Sequence, residues 1–392
     1  MLFYSARKIK DNLGFLKNDY FALIIIFIVA LLSIVGILAI YSASAYDSFQ
    51  SFGNYTYFLN RHLAFIGIGV LMFFIFYFLN LNIIKNYSFF FFLAALVFMF
   101  FVFLPGIGQG VGESKRWVDL RFISVQPSEF LKPLLLIYVA AFFSKFSLDK
   151  DIKKDIINIK SYFQKVCLPY FKKVWLPFIS IISSVAFAFY FQKDAGTFFL
   201  IAAPVAFMFL ITSAPKLIKV LTVIIFLIAA FLMVISEEYR IVRIQGFFNS
   251  TDILSSDYQS VQSLISMGSG GLLGQGIGAG FSKTNVPLTK NDFIFSVIGE
   301  EMGFLGSLLI VTLFIIFMMT GFLMARRVDN IFNKLLIYGI VILLSLQAMI
   351  NIQSAVGGIV KGIPLPFISY GGSATITAFS MIGLLLNAYK NN

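Results

Sequence analysis

In the stretch LTKNDFIFSVIGEEMGFLG, Leu288 to Gly306, Asp292 stands directly ahead of an apolar run, and Glu300 and Glu301 lie inside it. His62 is the only histidine and Cys167 the only cysteine. That removes Ser-His-Asp catalysis, histidine metal clusters and an internal disulfide together. Proton transfer and charge neutralisation must fall to carboxylates, Lys, Arg, hydroxyls or backbone groups. Asp292 admits two local readings: a helix N-cap that satisfies orphan N–H groups, or a carboxylate of a site that only Glu300 could share.

Three further stretches carry charge where the chain otherwise avoids it. ESKRWVDLRFISVQPSEFLKP, Glu113 to Pro133, brings Lys115, Arg116 and Arg121 beside Trp117, then Glu129 and Lys132 one helical turn apart. Pro127 suits the first turn of a helix, where Glu129 faces the positive end of the dipole and can pair with Lys132. EEYRIVRIQGFF sets Arg240 and Arg243 one turn apart, and KGIPLPFISYGGSA, Lys361 to Ala374, is an extended segment turned by Gly371 and Gly372. Such basic groups fit an anionic ligand, or pairing with acidic residues of other loops. GSGGLLGQGIGAG, Gly268 to Gly280, lacks the G-x-G-x-x-G spacing of a dinucleotide site and reads as tight turns or close packing.

These residues hang on membrane helices. Of 392 residues, 59% are hydrophobic and only 12% charged, and mean hydropathy is +0.91. Ten apolar segments are expected, near 20–42, 62–80, 87–104, 127–145, 174–191, 196–213, 217–236, 294–325, 332–355 and 371–388. In lipid each must be helical, because every backbone polar group needs an internal partner. The expected fold is an all-α polytopic membrane protein, a single domain over 1–392 with one large extracytoplasmic loop at 237–293. The 145–173 loop is basic, with spaced apolar residues that suit a helix lying on anionic lipid or a solvated linker.

Lys and Arg set the orientation. The side holding residues 1–19, the 145–173 loop and Lys390 carries nearly twice as many as the other, which places both termini in the cytoplasm. The net charge of +12 is then a topology signal, and no nucleic-acid surface is needed to explain it. Residues 302–325 carry no charge and alone span the hydrocarbon, so Asp292, Glu300 and Glu301 belong to the extracytoplasmic rim. On a continuous helix, Ser296, Gly299 and Gly303 would stay within about 40° of Asp292 and form a stripe of small residues. Basic groups and one prominent carboxylate thus converge on the outer face, as an anionic, amphipathic substrate of the outer leaflet would require. The residues alone leave chemistry and transport both open.

RWVDL, QPSEFLK, DYQSVQSLISMGSGGLLGQGIG, NDFIFSVIGEEMGFLG and KGIPLPFISYGGS resemble, in order, the signatures of the SEDS family of shape, elongation, division and sporulation proteins. The resemblance is closer to the division branch than to the elongation branch. It implies a peptidoglycan glycosyltransferase that polymerises lipid II on the outer face of the cytoplasmic membrane, at the division septum. It implies as partners a class B penicillin-binding protein and other division proteins. The family's essential aspartate corresponds to Asp292, and its functional positions around RW and QPSE correspond to Arg116, Glu129 and Lys132. Arg243, Lys361 and Ser369 join these as candidates to hold the lipid II diphosphate, alone or with a divalent cation such as Mg or Mn. The chain departs from the family pattern in VPLTKND, where a Pro-Glu pair and a histidine are usual, and in Arg121 and YGGSA. A lipid II flippase and a scaffold that only activates its partner are the competing readings. A flippase needs a polar path, whereas the ionisable residues crowd one face.

Overall fold

The structure, a computed structural model, describes residues 19–111, 114–121, 124–146, 166–235, 258–280, 290–357 and 362–391. Each of the ten expected apolar segments is a helix: α1 Tyr20–Phe52, α2 Tyr57–Phe78, α3 Leu81–Met99, α4 Pro127–Phe143, α5 Leu176–Phe191, α6 Ala195–Ile211 and α7 Lys216–Ile235. After the short α8, Tyr258–Ser269, come α9 Ile294–Arg327, α10 Ile331–Ala355 and α11 Gly372–Lys390. Among the described residues, seven helical stretches are long and apolar enough to cross a membrane, and α6 is a shorter apolar helix. The chain is a multi-pass membrane protein.

Several helices outrun the apolar run that marked them. α1 continues to Phe52 because no helix breaker intervenes before Gly53, whose left-handed φ of 66° closes it. Between α3 and α4 lies a three-stranded antiparallel meander with no counterpart among the sequence expectations: β1 Gly108–Val111, β2 Ser114–Asp119 and β3 Ser124–Val125. The RWVD motif lies on β2.

The chain divides into two compact units. One comprises the described parts of Met1–Asn80, Glu237–Arg327 and Val341–Asn391; the other comprises those of Leu81–Ser236 and Val328–Ile340. In the first, α2 packs along α11, and α1 against α2 and α9. Asn387 on α11 donates through Nδ2 to Phe76 O and Leu79 O, both at 2.7 Å, and so satisfies orphan carbonyls where α2 ends. Gly36 lets α1 press on the chain before α11: a Cβ there would stand 2.8 Å from Phe367 O and Ile368 Cα. In the second unit, Phe143, Phe178 and Phe209 form a buried aromatic trio with centroids 5.0, 5.5 and 5.1 Å apart.

Candidate functional site

Asp292 lies in a turn, two residues before α9 begins at Ile294, and is half-buried. Across from it runs Gly362–Tyr370, which enters α11. A Cβ on Gly362 would stand 2.9 Å from Asp292 Oδ2, so the missing side chain leaves room for the carboxylate. One residue locks the two segments together. Asn351, fully buried on α10, donates through Nδ2 to Asp292 O at 2.9 Å and to Ile363 O at 2.8 Å. A turn below, Gln347 Nε2 donates to Pro364 O at 2.9 Å, and Tyr370 N donates to Lys290 O at 2.9 Å. The aspartate is therefore held by backbone clamps on both sides. Asn291 Oδ1 and Asn351 Oδ1, both buried, are acceptors without a hydrogen-bond partner among the described residues.

Cations and aromatic rings surround this turn. Lys290 Nζ lies 3.3 Å from Asp47 Oδ2 and 3.5 Å from the Phe58 ring centroid. Tyr370 packs edge-on against Phe58 at 5.5 Å and Phe65 at 6.2 Å. Its phenol is held above its ordinary range by burial, with Arg61 partly offsetting the shift. Arg61 donates to Tyr57 Oη at 3.3 Å and lies over the Tyr57 and Phe65 rings, and among the described residues no carboxylate pairs with it. A polarizable, half-buried guanidinium near Tyr370 suits an anionic group. His62, one residue on, is fully buried, and among the described residues neither ring nitrogen has a hydrogen-bond partner.

Glu300 and Glu301 do not extend this constellation along a regular helix. α9 is broken at Gly303, whose φ of 69° and ψ of −166° are not helical, so the small-residue stripe does not run on as one helical face. Both glutamates are buried, and Glu301 accepts from the Ser42 hydroxyl. The glycine-dense segment repairs the break. Gln275 N donates to Glu300 O at 3.0 Å and Gly276 N to Glu301 O at 3.1 Å. Beyond the break, Phe304 N donates to Gly271 O at 2.9 Å and Leu305 N to Leu272 O at 3.2 Å. The glycines serve close backbone approach: a Cβ on Gly274 or Gly303 would collide with the backbone of the other segment.

The second unit holds Arg116, Glu129 and Lys132. Lys132 Nζ lies 2.6 Å from Glu129 Oε1, and both side chains are buried in the first turns of α4. Arg116 on β2 is about one-third exposed; it donates to Lys193 O at 2.9 Å and lies 3.7 Å from Asp194 Oδ1. Asp194 in turn caps α6 by accepting from the Thr197 N–H at 3.3 Å and hydroxyl at 2.8 Å. Ser369 is buried in the first unit, its Oγ accepting from Leu365 N at 2.7 Å, a tie within the Gly362–Tyr370 loop. Arg243 and Lys361 lie outside the described residues. Sequence reasoning passed over Asn351, Arg61, Tyr370 and the contacts of Lys290. Asn351 left a signal: an amide within an apolar segment needs a partner.

Residues 22–392 match the family model of cell cycle proteins that takes in FtsW, RodA and SpoVE. Stage V sporulation protein E of Bacillus subtilis (strain 168) is 31% identical over 371 residues, 94% of this chain and 96% of that protein. The probable peptidoglycan glycosyltransferase FtsW of Coxiella burnetii is 32% identical over 382 residues, covering 95% and 97%. Among solved structures, a chain of a peptidoglycan synthase complex superposes with a TM-score of 0.72 at 20% identity, over 94% of this chain and 97% of that one. The rod shape determining protein RodA of Thermus thermophilus gives 0.65 at 21%, over 94% and 96%. At these identities the two structures establish a common fold.

Proposed function

The chain belongs to the FtsW, RodA and SpoVE family of cell cycle proteins, and from that membership we propose that it is a peptidoglycan glycosyltransferase that polymerises lipid II, in cell division, with Asp292 as its general base. The observation that carries the assignment is the placement of Asp292: a half-buried carboxylate in a turn clamped by Asn351 and Tyr370 and closely approached by Gly362. Asp292 takes the proton of the acceptor sugar's 4-hydroxyl as that oxygen attacks the anomeric carbon of the donor. The new glycosidic bond forms while the bond from that carbon to the lipid diphosphate breaks, and the diphosphate leaves with the electron pair. A general base contributes about 10²–10⁴-fold to such a step.

The leaving diphosphate needs cations at the place where its charge develops. Lys290 lies within the Asp292 turn, and Arg61 lies near Tyr370, whose N–H is bonded to Lys290 O. Arg116, Lys132, Arg243 and Lys361 remain candidates for donor or acceptor, with Ser369 and Glu129 holding the surrounding loop and cation. Among the described residues no three His, Cys, Asp or Glu side chains gather as a metal site. Its protein partner is a class B penicillin-binding protein, which cross-links the strands at the septum. Purified protein with that partner and lipid II should make glycan polymer, and Asp292→Asn should abolish it. Near wild-type polymerisation by that variant would sink the assignment. Liposome flipping of labelled lipid II that survives Asp292→Asn while polymerisation is absent from both proteins would favour the flippase instead.

A further inference from the structure

The glycine-dense loop that braces the break in α9 carries an apolar surface that this role does not use. Leu272 is 70% exposed, Leu273 78% and Ile277 58%, on a stretch, residues 258–282, without a single charge. Two adjacent leucines this open to water are costly, at about 25 cal/mol per Å² of apolar surface. Their height is fixed by hydrogen bonds. Gly271 O and Leu272 O accept from Phe304 N and Leu305 N, so the leucines lie level with the first residues of α9 beyond its break. From there to Arg326 the helix runs about 33 Å at 1.5 Å per residue. That is close to the hydrocarbon thickness of about 30 Å, which sets Phe304 and Leu305 near its outer boundary if Arg326 and Arg327 mark the inner one. Phe304 and Leu305 are themselves 57% and 53% exposed, so the apolar surface of the loop is continuous with the lipid-facing side of α9.

We propose that residues 269–280 form a membrane-seated anchor, with Leu272, Leu273 and Ile277 inserted among the acyl chains at the outer-leaflet boundary. Backbone at that depth must find protein partners. Gln275 N and Gly276 N do so on Glu300 O and Glu301 O. Apolar side chains inserted about 5–10 Å into the interface are what hold a peripheral segment to a bilayer. Because the same loop grips the end of the upper part of α9, Ile294–Met302, seating it in lipid also fixes the height of the Asp292 turn above the membrane.

The test is spin-label depth measurement on the full chain in nanodiscs of phosphatidylethanolamine and phosphatidylglycerol. Cys167→Ala removes the native thiol, and Leu273→Cys carries the label, with Leu309→Cys on α9 as the lipid-facing reference and Asn54→Cys in the α1–α2 turn as the aqueous one. The oxygen-to-nickel collision ratio at Leu273→Cys should exceed that at Asn54→Cys several-fold and approach that at Leu309→Cys. A ratio equal to that at Asn54→Cys overturns the proposal. So does a label shielded from both reagents, which would mean that protein, from a partner or a second copy, covers the loop. Leu272→Cys serves in the same way if Leu273→Cys does not elute as a monodisperse species. None of these readings depends on glycosyl transfer.

Discussion

Asn351 holds, from a distant helix, one carbonyl of the Asp292 turn and one of the facing Gly362–Tyr370 loop. Removing its amide takes away the donor that Asp292 O and Ile363 O share, at about 1–3 kcal/mol each. The larger effect should be catalytic, because a carboxylate displaced by about 1 Å can lose 10²-fold in rate. Asn351→Ala should therefore lower the saturated polymerisation rate far more than lipid II affinity, measured by polymer formation and by lipid II titration. Glu129 and Lys132 invite a different comparison. Leaving one member of a buried ion pair costs about 3–5 kcal/mol, whereas replacing both by apolar residues is often neutral. Lys132→Met should lower the melting temperature in detergent, and Glu129→Leu with Lys132→Met should restore it. Activity that stays absent in the stable double variant would mark the pair as part of the reaction, and activity that returns would mark it as scaffold. Tyr370 gives the pH expectation. Burial holds its phenol above the ordinary range, so it is protonated throughout neutral pH. Tyr370→Phe should leave the pH profile of polymerisation where it was, even if the rate changes.

At the level of elements, the break in α9 and its glycine brace form a single unit. Gly303 adopts a φ of 69°, and a Cβ there would meet the Leu272 carbonyl at 2.5 Å, so neither the conformation nor the space admits a side chain. Gly271 also has a positive φ, 55°, but a Cβ there would meet nothing within 4 Å. Gly303→Ala should destabilise the protein markedly and Gly271→Ala by only about 1–2 kcal/mol, a contrast readable from paired melting curves. Equal losses would mean that strain alone, and not the close backbone approach, decides. This element also shows where the sequence stops being informative. The ten helices were legible because long uncharged runs in lipid have one backbone solution. Asp292 was legible because a charge directly ahead of such a run stands out, and the family motif around it is specific. The break at Gly303 was not, since glycine inside an apolar helix is common and only the contacts of the facing loop reveal its φ. The β-meander escaped because strands this short, rich in glycine and charge, have no alternating pattern long enough to read. Asn351 escaped because its partners lie on segments whose pairing is purely tertiary.

For the whole molecule, the short turns decide topology. Residues 53–56 join α1 to α2, 192–194 join α5 to α6, and 328–330 join α9 to α10. Turns this short reverse the chain, so each helix that spans must alternate with the next. Asp292 precedes α9 and Arg326 and Arg327 end it, so the proposed base stands ahead of one end of the helix and a basic pair closes the other. The excess of Lys and Arg assigns the basic face to the cytoplasm. If that assignment holds, a membrane-impermeant thiol reagent applied to intact cells should label Asn54→Cys in the α1–α2 turn of a Cys167→Ala background. Asn330→Cys and Asn391→Cys should be labelled only after permeabilisation. The reverse pattern would put Asp292 on the cytoplasmic side, where cross-linkable glycan is not assembled, and would undo the glycosyltransferase reading more completely than any single substitution. Labelling of all three sites in intact cells would instead indicate leaky membranes and call for spheroplasts of the same strain, in which the two patterns separate.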